Sequence, residues 1–296
     1  MEGFIYALGF FDGVHMGHQQ LLHAARTLAG ERDCRWGVVT FLDHPDALVQ
    51  GAAPRLINTP RDRELLLREG FSAQTVVNLP FDRAMQTCPW RDFLERLRRE
   101  HGGVGFVCGA DFRFGWKGGG TAAALAGYCR ERGLPWAVIP EQYLDGVRIS
   151  STYIRRELET GDMATAVRFL GHPHILRGTV RHGQALGRRL GFPTANLSLP
   201  DTLVRPRFGV YACRATVDGK AYAAVTNVGV RPTVHGQGVW VESWILDYSG
   251  DLYGRELTLE FFFFLRPERK FDSLEALRRQ IREDAGHVRA FFETRP

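Results

Sequence analysis

The stretch Gly9-Phe10-Phe11-Asp12-Gly13-Val14-His15-Met16-Gly17-His18 decides the fold. Ahead of it, Phe4-Ile5-Tyr6-Ala7-Leu8 is a short apolar run that reads as a buried strand. After it, Leu21, Leu22, Ala25 and Leu28 recur at helical spacing. The stretch is therefore a strand-to-helix turn, and in α/β proteins such turns lie at the carboxyl edge of a sheet, where ligands bind. His15 and His18 set two side-chain donors beside the free N–H groups of a helix start, an arrangement suited to phosphate. Gly13 and Gly17 let backbone approach a ligand with no Cβ in the way. Solvated helix-start histidines are the plain alternative; agreement of strand, glycine spacing and helix favours the phosphate site.

Outward from this turn, strand and helix patterns alternate to about residue 140. Strands are expected at 36–41, 74–79, 103–108 and 136–139, and helices at 90–100 and 121–132. Thr59-Pro60 opens a further helix that Gly70 closes. This alternation implies a parallel sheet covered on both faces, with the chemistry at the strand ends. Three more segments sit there. Asp43-His44-Pro45 is either a proline-fixed turn or part of a site. Gly109-Ala110-Asp111-Phe112-Arg113-Phe114-Gly115 is a loop whose flat side chains could stack on rings. In Arg148-Ile149-Ser150-Ser151-Thr152-Tyr153-Ile154-Arg155, hydroxyls open a helix between arginines, which makes either an ordinary cap or a second phosphate cradle.

Beyond a short helix at 163–170, closed by Gly171-His172-Pro173, the texture changes to short strands and tight turns. Asp218-Gly219 between apolar runs is a strong hairpin signal, further strands follow at 239–246 and 256–265, and 273–294 is an amphipathic helix. A small antiparallel β-barrel with one terminal helix is the natural architecture, and the joint falls near residue 170. In Gly187-Arg188-Arg189-Leu190-Gly191-Phe192-Pro193-Thr194-Ala195-Asn196, the glycines suggest a loop closing over phosphates. Thr194 and Asn196, two apart in an extended chain, point the same way and offer oxygen ligands to Mg²⁺. Glu242 sits in a strand pattern, where a solvent-facing glutamate is the common case.

The 296 residues suffice for about two domains, and 44% hydrophobic with 24% charged residues is ordinary for a soluble chain. No apolar run approaches the roughly 20 residues that span a bilayer, and nothing suggests a secretory leader. Five cysteines, scattered and without metal or redox spacing, fit a reduced cytoplasmic compartment. A net charge of +5 suits polyanionic ligands. The basic residues are dispersed over helix faces, as at 91–99, and no basic stripe interleaved with aromatics supports a nucleic-acid partner. The sequence is compatible with a homo-oligomer.

His15-Met16-Gly17-His18 resembles the histidine-x-glycine-histidine signature of the nucleotidyltransferase superfamily. The longer stretch from Gly9, with Ser150-Ser151-Thr152 and Arg155 following in order, looks like the FMN adenylyltransferase module of the bacterial bifunctional riboflavin kinase/FAD synthetases. The segment from Gly187 to Asn196, with Phe208-Gly209-Val210-Tyr211, the run opening at Asn227, and Glu242, resembles the riboflavin kinase signature. The resemblance spans nearly the whole chain. It implies a Rossmann-like nucleotidyltransferase domain over 1–170 and a kinase barrel over 171–296. The implied chemistry is phosphorylation of riboflavin to FMN by ATP with Mg²⁺, then adenylylation of FMN to FAD with release of pyrophosphate.

The resemblance also implies roles. Gly9, Phe10, Phe11, Asp12, His15, Gly17, His18, Arg148, Ser150, Ser151, Thr152 and Arg155 would serve ATP and its phosphates in the first domain, with His44, Pro45 and Asp111 near the flavin. Gly187, Arg188, Gly191, Pro193, Thr194, Asn196 and Asn227 would serve ATP in the second, Thr194 and Asn196 on Mg²⁺. Glu242 would be the base that takes the proton of the ribityl hydroxyl, whereas FMN phosphate is already ionised and needs none. The chain departs from the family at His172-Pro173-His174, where relatives carry arginine-proline-tyrosine. It also starts eight residues before Gly9, which implies a trimmed sheet edge. One active domain alone, or a flavin-binding sensor, are the rival readings. A sensor would need neither a base nor two phosphate sites.

Overall fold

The computed structural model describes residues 3–183, 187, 190–233 and 236–294, excluding the side chains at 231–233, 236 and 237. Arg188 of the phosphate loop lies outside the described residues. The chain divides into two compact units, Met1–Ser151 and Thr152–Pro296. The helices between Ser151 and Leu170 thus go with the second unit, ahead of the joint expected near residue 170.

In the first unit, β1 (Phe4–Leu8) leads through the histidine turn into α1 (Met16–Glu31), followed by β2 (Arg35–Phe41), α2 (Pro45–Val49), α3 (Pro60–Leu65) and β3 (Thr75–Leu79). Then come α4 (Arg83–Thr87), α5 (Trp90–His101), β4 (Gly103–Gly109), the short pair β5 (Arg113–Phe114) and β6 (Gly120–Thr121), α6 (Ala122–Glu131), β7 (Trp136–Ile139), and a second pair, β8 (Tyr143–Leu144) and β9 (Val147–Arg148). The main sheet is parallel with order β3-β2-β1-β4-β7. The order reverses between β1 and β4, so the histidine turn leaves the sheet at its switch point, where a crevice opens. β1 is central, and its pleat feeds two cores. Ile5 and Ala7 pack with Leu21, Leu22 and Ala25 of α1, and Tyr6 and Leu8 with Phe93, Leu94 and Leu97 of α5.

The basic helix face resolves as expected: Arg91 pairs with Glu131, Arg96 with Glu100 and Arg98 with Glu95, on exposed or half-exposed surface. The helix expected from Thr59 to Gly70 is α-helical only to Leu65, and Leu66–Gly70 is a wider π turn.

The second unit opens, from Thr152, within α7 (Ser151–Thr160), and α8 (Met163–Leu170) follows. β10 (His174–Thr179), β11 (Thr194–Ser198), β12 (Gly209–Val217), β13 (Lys220–Thr233), β14 (Gly236–Ile245) and β15 (Glu256–Arg266) form one antiparallel sheet, order β10-β15-β12-β13-β14-β11. Asp218 and Gly219 both have positive φ, 49° and 75°, as a type I′ hairpin turn requires. Register shifts between β12 and β15 curl the sheet. A bridge from Arg181 to Asn196 brings the chain leaving one edge strand onto the other, so the sheet forms a half-barrel. The terminal helix α9 (Leu274–Glu293) lays Ala285 and Val288 on Val210, Ala212, Val225 and Leu246.

The departure at His174 has an energetic consequence. Its ring is buried, 5.6 Å from that of Phe261, and Nδ1 has no hydrogen-bond partner. Burial, with a smaller push from His172, lowers its pKa from 6.5 to about 4. The unfolded chain binds this proton below about pH 6.5 and the folded one does not, so stability falls as pH drops from there toward 4. The loss reaches about 3 kcal/mol. His174→Phe should flatten that slope. Urea midpoints at pH 7 and pH 4.5 check it: equal losses in both proteins would refute the assignment.

Candidate active sites

The first site is built on the turn after β1. Phe11, Gly13 and Val14 all take positive φ, 59°, 80° and 41°. A β-branched valine there is strained, and such strain gathers at functional turns. It delivers His15 to the N-cap of α1, where Nδ1 accepts the backbone N–H of His18 at 3.3 Å. The His15 and His18 rings then stack with centroids 3.6 Å apart and planes at 12°. Gly17 makes room, since a Cβ on it would come within 3.2 Å of His15 Nδ1. Burial, then His15, then Arg63 hold the His18 imidazole well below its usual pKa of 6.5. The His18 imidazole is thus held neutral beside His15, at the N-terminus of a 16-residue helix.

The other residues assigned to this site separate into groups. Asp12 is buried, and its Oδ1 accepts the N–H groups of Ile57 at 2.8 Å and Asn58 at 3.4 Å. Its carboxylate thus ties down the neighbouring loop. The Asp12 carbonyl accepts the Ser151 hydroxyl at 2.8 Å, which brings the serine segment to the histidine turn. Phe10 packs edge-on to His44 at 4.7 Å, and His44 caps α2 by accepting the N–H of Asp46. Arg148 and Asp111, assigned to phosphate and flavin, pair with one another at 2.5 Å, and Arg148 also reaches Glu141. Thr152 and Arg155 lie on α7 in the second unit.

A cavity of about 620 Å³ opens nearby, lined by Phe41, Pro45, Phe81, Phe93, Phe114 and Trp116 among others. Of the predicted flavin residues only Pro45 lines it. The aromatic loop at 109–115 was the signal for it, through Phe114, whereas Phe41 and Phe81 gave none.

The second site lies across three strands. Register places Asn196 of β11 opposite Glu242 of β14, and Glu242 opposite Asn227 of β13. Directly paired residues share one face, so the glutamate stands between two carboxamides. Thr194 lies one pleat along from Asn196 on that face, opposite Trp244. Asn196 is 3% exposed and donates Nδ2 to the Thr194 carbonyl at 3.1 Å. The phosphate loop closes through a Phe192 N–H to Gly187 O bond of 2.8 Å, and Gly191 has φ 87°.

A cavity of about 380 Å³ is lined by Thr194, Asn227, Glu242, Trp244, Glu268 and Phe271 among others. A second, of about 360 Å³, shares Thr194 and adds Pro193, Tyr248 and Tyr253. Tyr253 stacks on His182 at 3.7 Å. Sequence reasoning missed Glu268, which accepts Asn227 Nδ2 at 2.9 Å, and the Arg266–Asp284 pair at 2.7 Å, all three lining the 380 Å³ cavity. Arg266 ends β15, Glu268 follows it and Asp284 comes from α9, so no single stretch of sequence signals the three.

Comparison with known proteins finds a family match in each half of the chain. Residues 170–292 match the riboflavin kinase family and residues 1–153 the FAD synthetase family. The bifunctional riboflavin kinase/FMN adenylyltransferase of Pseudomonas fluorescens is 37% identical, covering 98% of this chain and 93% of that one. The enzymes of that name from Listeria monocytogenes and Escherichia coli are 34% and 36% identical, covering 97% and 98% of this chain and 92% and 93% of their own. A crystal structure described as a macrolide-efflux protein from Streptococcus pneumoniae superposes with a TM-score of 0.86 at 29% identity, covering 97% of this chain and 94% of that one. No helix among the described residues is long and apolar enough to cross a membrane. With both family domains in order and three full-length relatives of one description, the chain belongs to the bifunctional riboflavin kinase/FMN adenylyltransferases, which carry riboflavin to FMN and FMN to FAD.

Proposed function

We propose a division of labour in which residues 171–296 phosphorylate riboflavin and residues 1–170 adenylylate the FMN formed. The observation that carries it is the row Asn196–Glu242–Asn227, of which Glu242 and Asn227 line the 380 Å³ cavity of the second unit, set against a histidine turn in the first whose own carboxylate, Asp12, is already engaged. The kinase step removes a proton from an alcohol and so needs a base. The adenylyl step uses a phosphate that is already ionised, and Asp12, holding Ile57 and Asn58, is not asked to act.

In the kinase, the cavity holding Glu242, Trp244 and Phe271 suits the flavin ring, and the tyrosine-lined cavity suits adenine. Thr194, common to both, would meet the phosphates between them. Thr194 and Asn196 supply neutral oxygen atoms, and among the described residues no group of three or more His, Cys, Asp or Glu could hold a metal. That donor set suits Mg²⁺ arriving on ATP, with the phosphates as its anionic ligands. In the adenylyltransferase, His15, His18 and the α1 N-terminus would stabilise charge developing at the α-phosphate. Ser150 and Ser151 would add donors, and the 620 Å³ aromatic cavity would seat the flavin ring. A cytoplasmic setting fits cysteines that are all free.

Incubation with riboflavin, ATP and Mg²⁺, with products separated over time, tests this. FMN should appear first and FAD follow. With FMN supplied instead, FAD should form without delay. Accumulation of FMN with no FAD under either condition would leave the kinase reading alone standing.

A further inference from the structure

The 620 Å³ cavity of the first unit has a charge pattern that its aromatic walls do not explain. Arg83 of α4, Arg113 of β5 and Lys117 of the turn after it line the cavity, and its described lining holds no aspartate or glutamate. None of the three cations is ion-paired among the described residues. Elsewhere on this unit Arg91, Arg96 and Arg98 each have a glutamate, so three unpaired cations at one cavity are not its ordinary surface. The 380 Å³ cavity of the second unit, assigned to uncharged riboflavin, is lined instead by Glu242, Glu268 and Asp284 against Arg266 and Arg269 among its described residues. Trp116 also lines the first cavity, yet it is 54% exposed. Its backbone is fixed. The N–H donates to the Cys88 carbonyl at 2.7 Å, and Gly115, with φ 71°, lies so close to Trp90 that a Cβ would meet its Cα at 2.5 Å. Lys117 follows with φ 52°, in the left-handed region that side chains rarely adopt, and its ammonium lies 5.1 Å from the Trp116 ring centroid. An exposed indole on such a turn is pre-organised to cover a flat ligand.

We propose that this cavity selects the phosphorylated flavin: Trp116 covers one face of the isoalloxazine ring, and Arg83, Arg113 and Lys117 favour anionic FMN over uncharged riboflavin. It rests on the assignment of the cavity to the flavin ring. The phosphate of FMN carries about −1.5 to −2 charge at pH 7, which riboflavin lacks. Pro45 lines the cavity while its neighbour His44 packs edge-on to Phe10 of the histidine turn. A ring seated there therefore extends its ribityl phosphate toward His15 and His18. The cations act on the charge of the whole ligand, so they set its affinity and not the rate of the chemical step. Riboflavin is left to the kinase.

The test uses the full chain and follows FAD formation from FMN at saturating ATP and Mg²⁺. Lumiflavin, which has the ring but no ribityl chain or phosphate, serves as a neutral competitor. In the wild type, KM for FMN should rise severalfold between about 0.01 M and about 0.3 M salt as the cations are screened, while inhibition by lumiflavin holds. Arg83→Gln, Arg113→Gln and Lys117→Gln combined should raise KM for FMN about tenfold at low salt and remove that salt dependence, with kcat and lumiflavin inhibition kept. Trp116→Ala should weaken FMN and lumiflavin alike by about tenfold, and Trp116→Phe should recover most of the loss. All four side chains are exposed, so urea midpoints and riboflavin phosphorylation should not move. The charge selection is overturned if the triple variant leaves KM for FMN unchanged, or weakens lumiflavin as much as FMN. An unchanged KM in Trp116→Ala overturns the stacking. A crystal structure with FMN separates these failures from that of the flavin seat. A ring inside the cavity but away from Trp116 overturns this proposal alone, whereas a ring elsewhere in the first unit overturns both.

Discussion

Glu242→Gln is expected to abolish FMN formation from riboflavin, with kcat lower by on the order of 10²–10⁴-fold, the usual contribution of a positioned base. FAD formation from supplied FMN should be unchanged. The amide replaces the carboxylate at nearly equal volume, so the row with Asn196 and Asn227 and the surrounding cavity are preserved. What it removes is the atom that accepts the proton of the ribityl hydroxyl. Because geometry is kept, KM for riboflavin should move far less than kcat, which separates proton transfer from binding. Separate assays on riboflavin and on FMN read the result. A loss of both activities together, or of neither, would show that the two reactions are not divided between the two units as proposed.

The features legible in the sequence are those whose physics is local. Leu8, Gly13, His15 and Leu21 together spell a strand, a turn and a helix within a single run, and Asp218-Gly219 spells its hairpin in two residues. The alternation of patterns through 140 sufficed for the parallel sheet. Other features depend on distant partners. Asp12 looks like a ligand of the turn it belongs to, yet its carboxylate is committed to N–H groups 45 and 46 positions away. Arg148 and Asp111 each look like ligand contacts, and pair across 37 positions. Glu242 stands among carboxamides only because β14 lies between β11 and β13, a strand order that no periodicity reveals. Arg63 lies in a short, charged helix with a solvated pattern, and its burial follows from packing beneath Phe10.

The histidine pair gives the second large effect, and its two members can be told apart. His18→Ala should lower FAD formation from FMN by about 10²–10³-fold, the scale of losing one fixed donor from a transition state, and leave riboflavin phosphorylation intact. His15 has two duties in the structure: its ring lies on His18, and its Nδ1 caps α1. Asparagine is among the best N-caps, so His15→Asn should keep the helix start while deleting the imidazole. His15→Ala deletes both and should cost about 1 kcal/mol of stability as well. The expected pattern is a similar loss of adenylylation in the two His15 variants, with a lowered urea midpoint only in the alanine one. If His15→Asn instead works at the wild-type rate, the imidazole at 15 serves the helix and not the phosphates. The catalytic reading then contracts to His18, the backbone N–H groups and the serine segment.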